Sequence, residues 1–438
     1  MRQTLFHINW ELFGLPMFGF GWLLIVWCLL AIGLFTWLLN RQGWNADTRS
    51  WLPILAIIGA VIYGAQFVLP ESSGLPIRGY GMMLMLAILA ASAAARWRAQ
   101  QLGLDPELIV SLALWLVVSG IAGARIFYVI QYRDQYWHQP WAILQFYEGG
   151  LVVYGALIGA CVGSIIFLKR RKLPILAIAD IVTPSLMLGL AIGRIGCLLN
   201  GCCWGGQCST DQWGIQFPIG SPAYTDQLAR GTLLGLKTQI SEEEDGTNFV
   251  VTHVEPQTPA DGKLRRGQQI APLAGGNSMY PIRIHLPGPN AATTENQLAA
   301  SATVQGAGTV QWQTSEISLK SLPVVPSQLY SSCNAFFLFL VVWFAFPFRN
   351  RDGQIFALLF TLYPITRFML EIIRADEGAQ FGTELTISQI VSIAILCGAG
   401  YMWWYIMRLP PQTAFPTFGQ DRTRQNKLTP ALLDQPEA

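Results

Sequence analysis

The stretch PILAIADIVTPSLMLGLAIGRIGCLL, residues 174–199, decides the fold. Asp180 and Arg194 are its only charges. Wound as a helix at about 1.5 Å per residue it spans about 39 Å, more than the ~30 Å hydrocarbon layer of a bilayer. A strand reading fails, because no closed barrel is built from runs this long and continuously apolar. Working outward, eight more apolar runs of similar kind lie at approximately 17–39, 52–70, 79–97, 109–130, 151–168, 329–347, 354–373 and 385–407. The first is too long and too poorly flanked for a cleaved signal peptide and is read as a span. Composition agrees: 52% of residues are hydrophobic and 12% charged, which excludes an ordinary soluble enzyme. A net charge of +2, from 28 basic and 26 acidic side chains, gives no footprint for a nucleic-acid partner. The fold class is a polytopic α-helical membrane protein, with the lipid bilayer as a partner.

Short loops set the orientation. Those after runs one, three, five and seven carry Arg41 and Arg49, Arg96 and Arg98, Lys169 to Lys172, and Arg349 and Arg351. The tail adds Arg408, Arg422, Arg424 and Lys427. By the positive-inside rule the N-terminus lies outside, the C-terminus inside, and every even-numbered loop outside.

Between runs six and seven the composition changes to Gly, Pro, Thr and Gln. Over 206–322 there are seven Lys/Arg against ten Asp/Glu. Alternating stretches such as Phe249 to Val254 and Tyr280 to Leu286 read as strands broken by Pro and Gly. This predicts a small, mainly β domain outside the membrane. The stretch Val251 to Gly276, containing Pro256-Gln257-Thr258-Pro259-Ala260-Asp261-Gly262, resembles the loop, short helix and strand of a PDZ-like domain.

A charge inside a span is costly and by default faces the bundle interior, as a functional group or a buried pair. The informative ones are Arg125, Asp180, Arg194, Arg367, Glu371 and Arg374. Arg367, Glu371 and Arg374 stand at i, i+4 and i+7 and share one helix face, with Tyr363 one turn earlier. A purely structural cluster is the plain alternative, but one carboxylate cannot neutralise two arginines. The orientation puts Arg125, Arg194 and Arg374 toward the outer side, with Arg367 about 10 Å deeper than Arg374. Tyr80, Glu148, Tyr154, Gln328 and Tyr330 also fall at outer ends. Several guanidinium forks at one depth suit an anionic headgroup such as a phosphodiester.

Glycines cluster at Gly149, Gly150 and Gly155, and at Gly189, Gly193, Gly196, Gly201, Gly205 and Gly206. Close helix packing explains some of them. The Gly-rich exit from run six reads as non-helical backbone lining a cavity. Cys28, Cys161, Cys333 and Cys397 stand singly in apolar runs and read as packing residues. Cys197, Cys202, Cys203 and Cys208 crowd the outer end of run six, where an oxidising compartment favours one or two disulfides; a zinc site, free catalytic thiols and simple packing are the alternatives.

The segment Gly193-Arg194-Ile195-Gly196-Cys197-Leu198-Leu199-Asn200-Gly201-Cys202-Cys203-Trp204-Gly205 resembles the signature of bacterial prolipoprotein diacylglyceryl transferases. Further segments agree in order: Ile77 to Gly81, Ala122 to Tyr128, Glu148 to Gly159, Pro326 to Tyr330, and Tyr363 to Arg374. The resemblance covers roughly 75–200 and 322–405. It implies a seven-helix transferase core with two extra N-terminal helices and a PDZ-like extracytoplasmic insertion. The domains are then 1–74 (extra helices), 75–206 and 323–408 (core), 207–322 (insertion) and 409–438 (cytoplasmic tail). This chain departs from the family pattern at Cys197 (Asn in the family), Cys202 (Glu), and Tyr154 and Val325 (His). Its four histidines, His7, His138, His253 and His285, lie outside the apolar runs.

The resemblance implies transfer of an sn-1,2-diacylglyceryl group from phosphatidylglycerol to the lipobox cysteine of a prolipoprotein signal peptide. A thioether forms and glycerol phosphate leaves, in the cytoplasmic (inner) membrane of a bacterium, without cofactor or metal. Arg194 and Arg367 take the phosphate, with Arg125 and Arg374 as supporting charge. Glu371 orients the arginines. Tyr80, Tyr154, Asn200 and Gln328 are candidates for headgroup hydrogen bonds, and Glu148, Gly149, Gly150, Gly205 and Tyr330 complete the substrate site. Tyr154 is also the candidate base for the thiol. A transporter would need a two-sided polar path and internal repeats. An intramembrane protease would need His-Glu-x-x-His or Gly-x-Ser-x-Gly, which this chain lacks. A non-catalytic lipoprotein- or lipid-binding scaffold is the remaining alternative.

Overall fold

The computed structural model describes residues 4–8, 11–12, 15–16, 21–45, the helical pieces 52, 55–56, 58–60 and 62–64, then 75–136, 142–143, 150, 152–208, 213–243, 246–271, 280–285, 299–304, 308–374 and 385–415. They fall into two compact units. One comprises 1–82, 199–202 and 207–324; the other comprises 83–198, 203–206 and 325–438.

Helices dominate: α1 Trp22–Gln42, α2 Gly79–Gln101, α3 Pro106–Gln131, α4 Val153–Arg170, α5 Ile175–Asn200, α6 Pro222–Ala229, α7 Ser327–Ala345, α8 Gln354–Glu371 and α9 Ile387–Arg408. Among the described residues seven, namely α1 to α5, α7 and α9, are long and apolar enough to cross a membrane. Their outward side chains are apolar, with Leu114 and Val118 each 64% and Phe337 62% exposed. In water such a surface would aggregate, whereas in lipid it is the expected exterior. The chain is therefore a multi-pass helical membrane protein. The helix from run eight, α8, carries Pro364, Arg367 and Glu371, which lower its hydropathy. Run two lies only partly within the described residues, and its described pieces are helical.

Small residues let α3 and α4 meet backbone to backbone. A Cβ on Gly123 would sit 2.4 Å from the Gly155 carbonyl oxygen, and one on Gly159 would sit 2.4 Å from that of Ser119. Any side chain there would force the helices apart. Around this seam Leu112, Ile178, Ile181, Leu338, Val342, Ile355 and Leu359 form the buried core of the larger unit.

The other unit contains two surprises for a reading of 1–74 as helices alone. Strand β1 (Thr4–Ile8) pairs antiparallel with β2 (Leu75–Arg78), immediately before α2. Glu11–Leu12 pairs with Leu15–Pro16. The 207–324 part of this unit is mainly β, in keeping with its alternating segments. Strands β3 (Leu236–Glu243), β4 (Gly246–Val254), β5 (Gln269–Ile270), β6 (Arg283–His285), β7 (Ala299–Val304) and β8 (Gly308–Gln313) form one sheet in the order β8-β7-β5-β4-β3, with β6 also on β7. Trp312, Tyr224, Leu228, Leu236, Val251 and Ile270 fill its core, all fully buried. The Trp312 indole donates to the Pro259 carbonyl at 2.8 Å, and the Tyr224 hydroxyl to that of Ser318 at 2.9 Å, so both polar tips are satisfied. The two ends of this domain are clasped. Ile215 and Val324 exchange backbone hydrogen bonds at 3.0 and 3.1 Å, and Ser321 N–H donates to the Phe217 carbonyl at 2.8 Å.

Candidate active site

Two helices carry the central charges, and a third fixes their register. In the second turn of α5, Asp180 is fully buried. Its carboxylate accepts from the backbone N–H of Gly353 at 2.7 Å and of Phe356 at 2.9 Å, capping α8. Helix starts carry unsatisfied N–H groups and partial positive charge, so a carboxylate there is doubly favoured. Arg194 lies fourteen residues after Asp180, and Arg367 fourteen after Gly353. At about 1.5 Å per residue each arginine therefore lies about 21 Å of helix beyond its own end of that contact. Just before α8, burial pushes the Asp352 carboxyl above, and the Arg349 guanidinium below, their ordinary ranges. Arg349 stands 4.0 Å from Asp180 and stacks on Phe346 at 3.8 Å.

At the far end of α8 the sequence stripe becomes a charge cluster. Glu371 is 3% exposed, and one of its oxygens pairs with both Arg367 and Arg374, the latter at 3.5 Å. Its other oxygen accepts from the Thr386 hydroxyl at 3.2 Å. Arg367 also donates to the Ser388 hydroxyl at 2.9 Å. Arg194 has Tyr363, Cys203, Cys197 and Arg374 as its electrostatic neighbours. Unlike the other two arginines, it makes no hydrogen bond or ion pair with the described residues. Among the described residues Arg367 and Arg374 thus share the one carboxylate of Glu371, and Arg194 stands beside Arg374 without a carboxylate of its own. A half-buried arginine with no bonded partner among the described residues has a guanidinium fork whose geometry suits an anion.

The Gly-rich exit from α5 is indeed non-helical. Gly205 N–H donates to the Val325 carbonyl at 2.9 Å, Gly206 N–H to that of Ile373 at 3.1 Å, and Val325 N–H returns to that of Gly206 at 2.9 Å. Gly205 also forms an antiparallel bridge with Arg374. A Cβ on Gly205 would lie 2.8 Å from the Val325 oxygen and 3.0 Å from that of Ile373, so only glycine fits this double contact. The Ser327 hydroxyl donates to the Cys203 carbonyl at 2.6 Å. This clip ends α8 at Glu371, two residues earlier than the apolar run suggests, and places Arg374 on extended backbone.

Arg125 sits differently from its expected role. Its guanidinium binds backbone carbonyls: Ile143 at 2.8 Å, Gly150 at 3.2 Å, and Ala142 at 2.5 Å. It thereby ties Ala142 and Ile143 to Gly150. Gly150 has φ +72°, and a Cβ there would meet Tyr128 at 2.6 Å and Arg125 at 2.9 Å. Gln328 is buried at the start of α7, while Tyr330 and Tyr154 are exposed. Tyr80, in the first turn of α2, and Asn200, the last residue of α5, belong to the smaller unit with Cys202 and Cys208. Glu148 and Gly149 lie outside the described residues. None of the eight cysteines is in a disulfide in the structure. The sulfurs of Cys197 and Cys203 lie within 4.8 Å of each other. The sequence reading missed Thr386 and Ser388. Thr386-x-x-Gln389 is a legible capping box, with Thr386 accepting from Gln389 N–H at 3.3 Å and Gln389 accepting in return at 3.0 Å.

Known proteins bear on this geometry. A protein of Rhodopirellula baltica named phosphatidylglycerol–prolipoprotein diacylglyceryl transferase is 33% identical over 439 aligned residues, covering 91% of this chain and 88% of that protein. A namesake from Trichormus variabilis is 35% identical over 152 residues, 35% of this chain and 54% of its own length. One from Clostridium perfringens, with the suffix 2, is 36% identical over 169 residues, covering 37% and 66%. The family model described as prolipoprotein diacylglyceryl transferase matches residues 68–405, which takes in α2 to α9 and the whole charge cluster, and this chain belongs to that family.

Proposed function

We propose that this chain transfers the sn-1,2-diacylglyceryl group of phosphatidylglycerol to the lipobox cysteine thiol of prolipoproteins. The observation that carries the reading is the excess of guanidinium charge among the described residues: Arg367 and Arg374 on the single carboxylate of Glu371, and Arg194 beside Arg374 with no hydrogen bond or ion pair there. A phosphodiester brings one negative charge and two free oxygens, which an arginine fork matches. In the reaction the substrate thiolate attacks the glyceryl carbon bearing the phosphate ester. That carbon–oxygen bond breaks, glycerol phosphate leaves with the electron pair, and a thioether remains. Charge grows on the departing phosphate, so fixed guanidinium groups stabilise the transition state more than the ground state. Glu371 works here as an orienting group, since both its oxygens are already engaged.

In this reading the chain resides in the cytoplasmic membrane of a bacterium, N-terminus outside and C-terminus inside. The 207–322 domain is PDZ-like and guides the prolipoprotein chain, because such folds bind extended peptides by adding a strand at a sheet edge. Purified protein incubated with phosphatidylglycerol vesicles and a lipobox peptide should yield a peptide heavier by one diacylglyceryl group, with glycerol phosphate released in equal amount. Absence of both products, in protein that elutes as a single folded species, overturns the proposal.

A further inference from the structure

The first turn of α9 touches both members of the central ion pair with hydroxyl groups. Thr386, its cap residue, donates to Glu371 at 3.2 Å, and Ser388, 8% exposed, accepts from Arg367 at 2.9 Å. The turn is itself held firmly. The reciprocal bonds between Thr386 and Gln389 close its capping box, and the Ser392 hydroxyl donates to the Ser388 carbonyl at 2.7 Å. Neither hydroxyl belongs to the charge stripe of α8; that of Thr386 also serves the capping box of α9, whereas the cap bonds do not use the Ser388 hydroxyl.

The chemistry of a hydroxyl at 388 differs from that of a carboxylate. It fixes the rotation of a guanidinium without cancelling its charge. With Glu371 holding one terminal nitrogen and Ser388 the other, Arg367 is clamped in a single orientation while its positive charge is kept. A second carboxylate there would clamp equally well, but would leave little net charge for an anion. We infer that Ser388 is a positioning residue for the phosphate group of the lipid substrate, holding Arg367 oriented without adding a second negative charge beside it, with Thr386 orienting Glu371. This rests on the phosphate-binding reading of Arg367.

Three variants of the full chain test it: Ser388→Ala, Ser388→Thr and Ser388→Asp. Two readouts are needed, equilibrium binding of phosphatidylglycerol in mixed micelles and steady-state transfer to a lipobox peptide. Loss of a hydrogen bond to a charged group predicts about tenfold weaker binding in Ser388→Ala, with KM raised by a similar factor. Ser388→Thr should restore both to within about threefold. Ser388→Asp separates positioning from packing. It retains an acceptor, so its melting temperature should match or exceed that of wild type, yet its binding should fall below that of Ser388→Ala. Wild-type binding in Ser388→Ala, or in a folded Ser388→Asp, overturns the inference. So does equal loss in Ser388→Ala and Ser388→Thr, which would mark the site as packing alone. Should wild type bind the lipid without turning it over, the transferase proposal fails while the binding series still decides the role of Ser388.

Discussion

The carboxylate of Asp180 accepts the backbone N–H of Gly353 at 2.7 Å, so α5 caps a helix that begins 173 residues later. The same contact ties the helix that carries Arg194 to the start of the helix that carries Arg367. Asp180→Asn should therefore lower stability by about 1–3 kcal/mol, the cost of leaving a buried donor unmatched. It should also reduce transfer, although no phosphate ligand is touched. Melting temperature and turnover of the variant are the measurements. A stable protein with full activity would mean that the start of α8 is held by other contacts.

Arg194→Ala is expected to reduce transfer by about 10²–10³-fold, the usual effect of deleting one donor aimed at developing charge. Stability should change little, since Arg194 makes no hydrogen bond or ion pair with the described residues. Arg194→Lys should recover little, because an ammonium cannot fork onto two oxygens. Arg367→Ala should lose both activity and stability, as it strips a partner from buried Glu371. Equal stability losses in both alanine variants would contradict the division of roles.

The cysteine cluster makes a redox prediction. With sulfurs within 4.8 Å of each other, Cys197 and Cys203 are candidates for a bridge, whose S–S length is about 2.05 Å. In protein isolated without reductant, thiol blocking followed by mass spectrometry should find part of the Cys197, Cys202, Cys203 and Cys208 set oxidised. Complete labelling of all four before reduction would rule the bridges out.

Deleting 207–322 and closing the gap with a short Gly/Ser linker should impair transfer to a full-length prolipoprotein more than transfer to a minimal lipobox peptide. Equal loss on both would assign the domain a structural role, and equal retention would make it dispensable.

Alkaline pH should loosen that domain selectively. Burial pushes the Tyr224 phenol up to about 12 from an ordinary value near 10. The fold requires the neutral phenol, so its stabilisation is complete below about pH 10 and is lost as pH rises through 12. Protease cleavage within 236–313 should accelerate over that window. Tyr224→Phe should flatten the rise at high pH, while costing the bond to Ser318 at every pH.

Much of this architecture is written locally. Apolar length marks the spans, and the i, i+4, i+7 spacing of Arg367, Glu371 and Arg374 marks the cluster, because both depend on neighbours along one helix. What escaped was non-local. The pairing of Thr4–Ile8 with Leu75–Arg78 joins segments about seventy residues apart, one of them five residues long. Arg125 binds backbone carbonyls, which leave no trace in side-chain pattern. Ser388 joins the site only because α9 packs against α8, although its capping box was readable. The shortened end of α8 follows from Gly205 and Gly206 recruiting Ile373 and Arg374 into extended pairing.

The clasped ends of the inserted domain have an evolutionary corollary. Ile215 bonds to Val324, and Gly206 to Val325, so a long excursion of chain departs and returns through adjacent residues. To the helices on either side, that excursion is equivalent to a tight hairpin. Loop-closure entropy grows only with the logarithm of length, so enlarging or shrinking it changes the folding free energy of the helices by little. Such a junction works as a socket: segments of different length can be exchanged there while the helices on either side keep their registers.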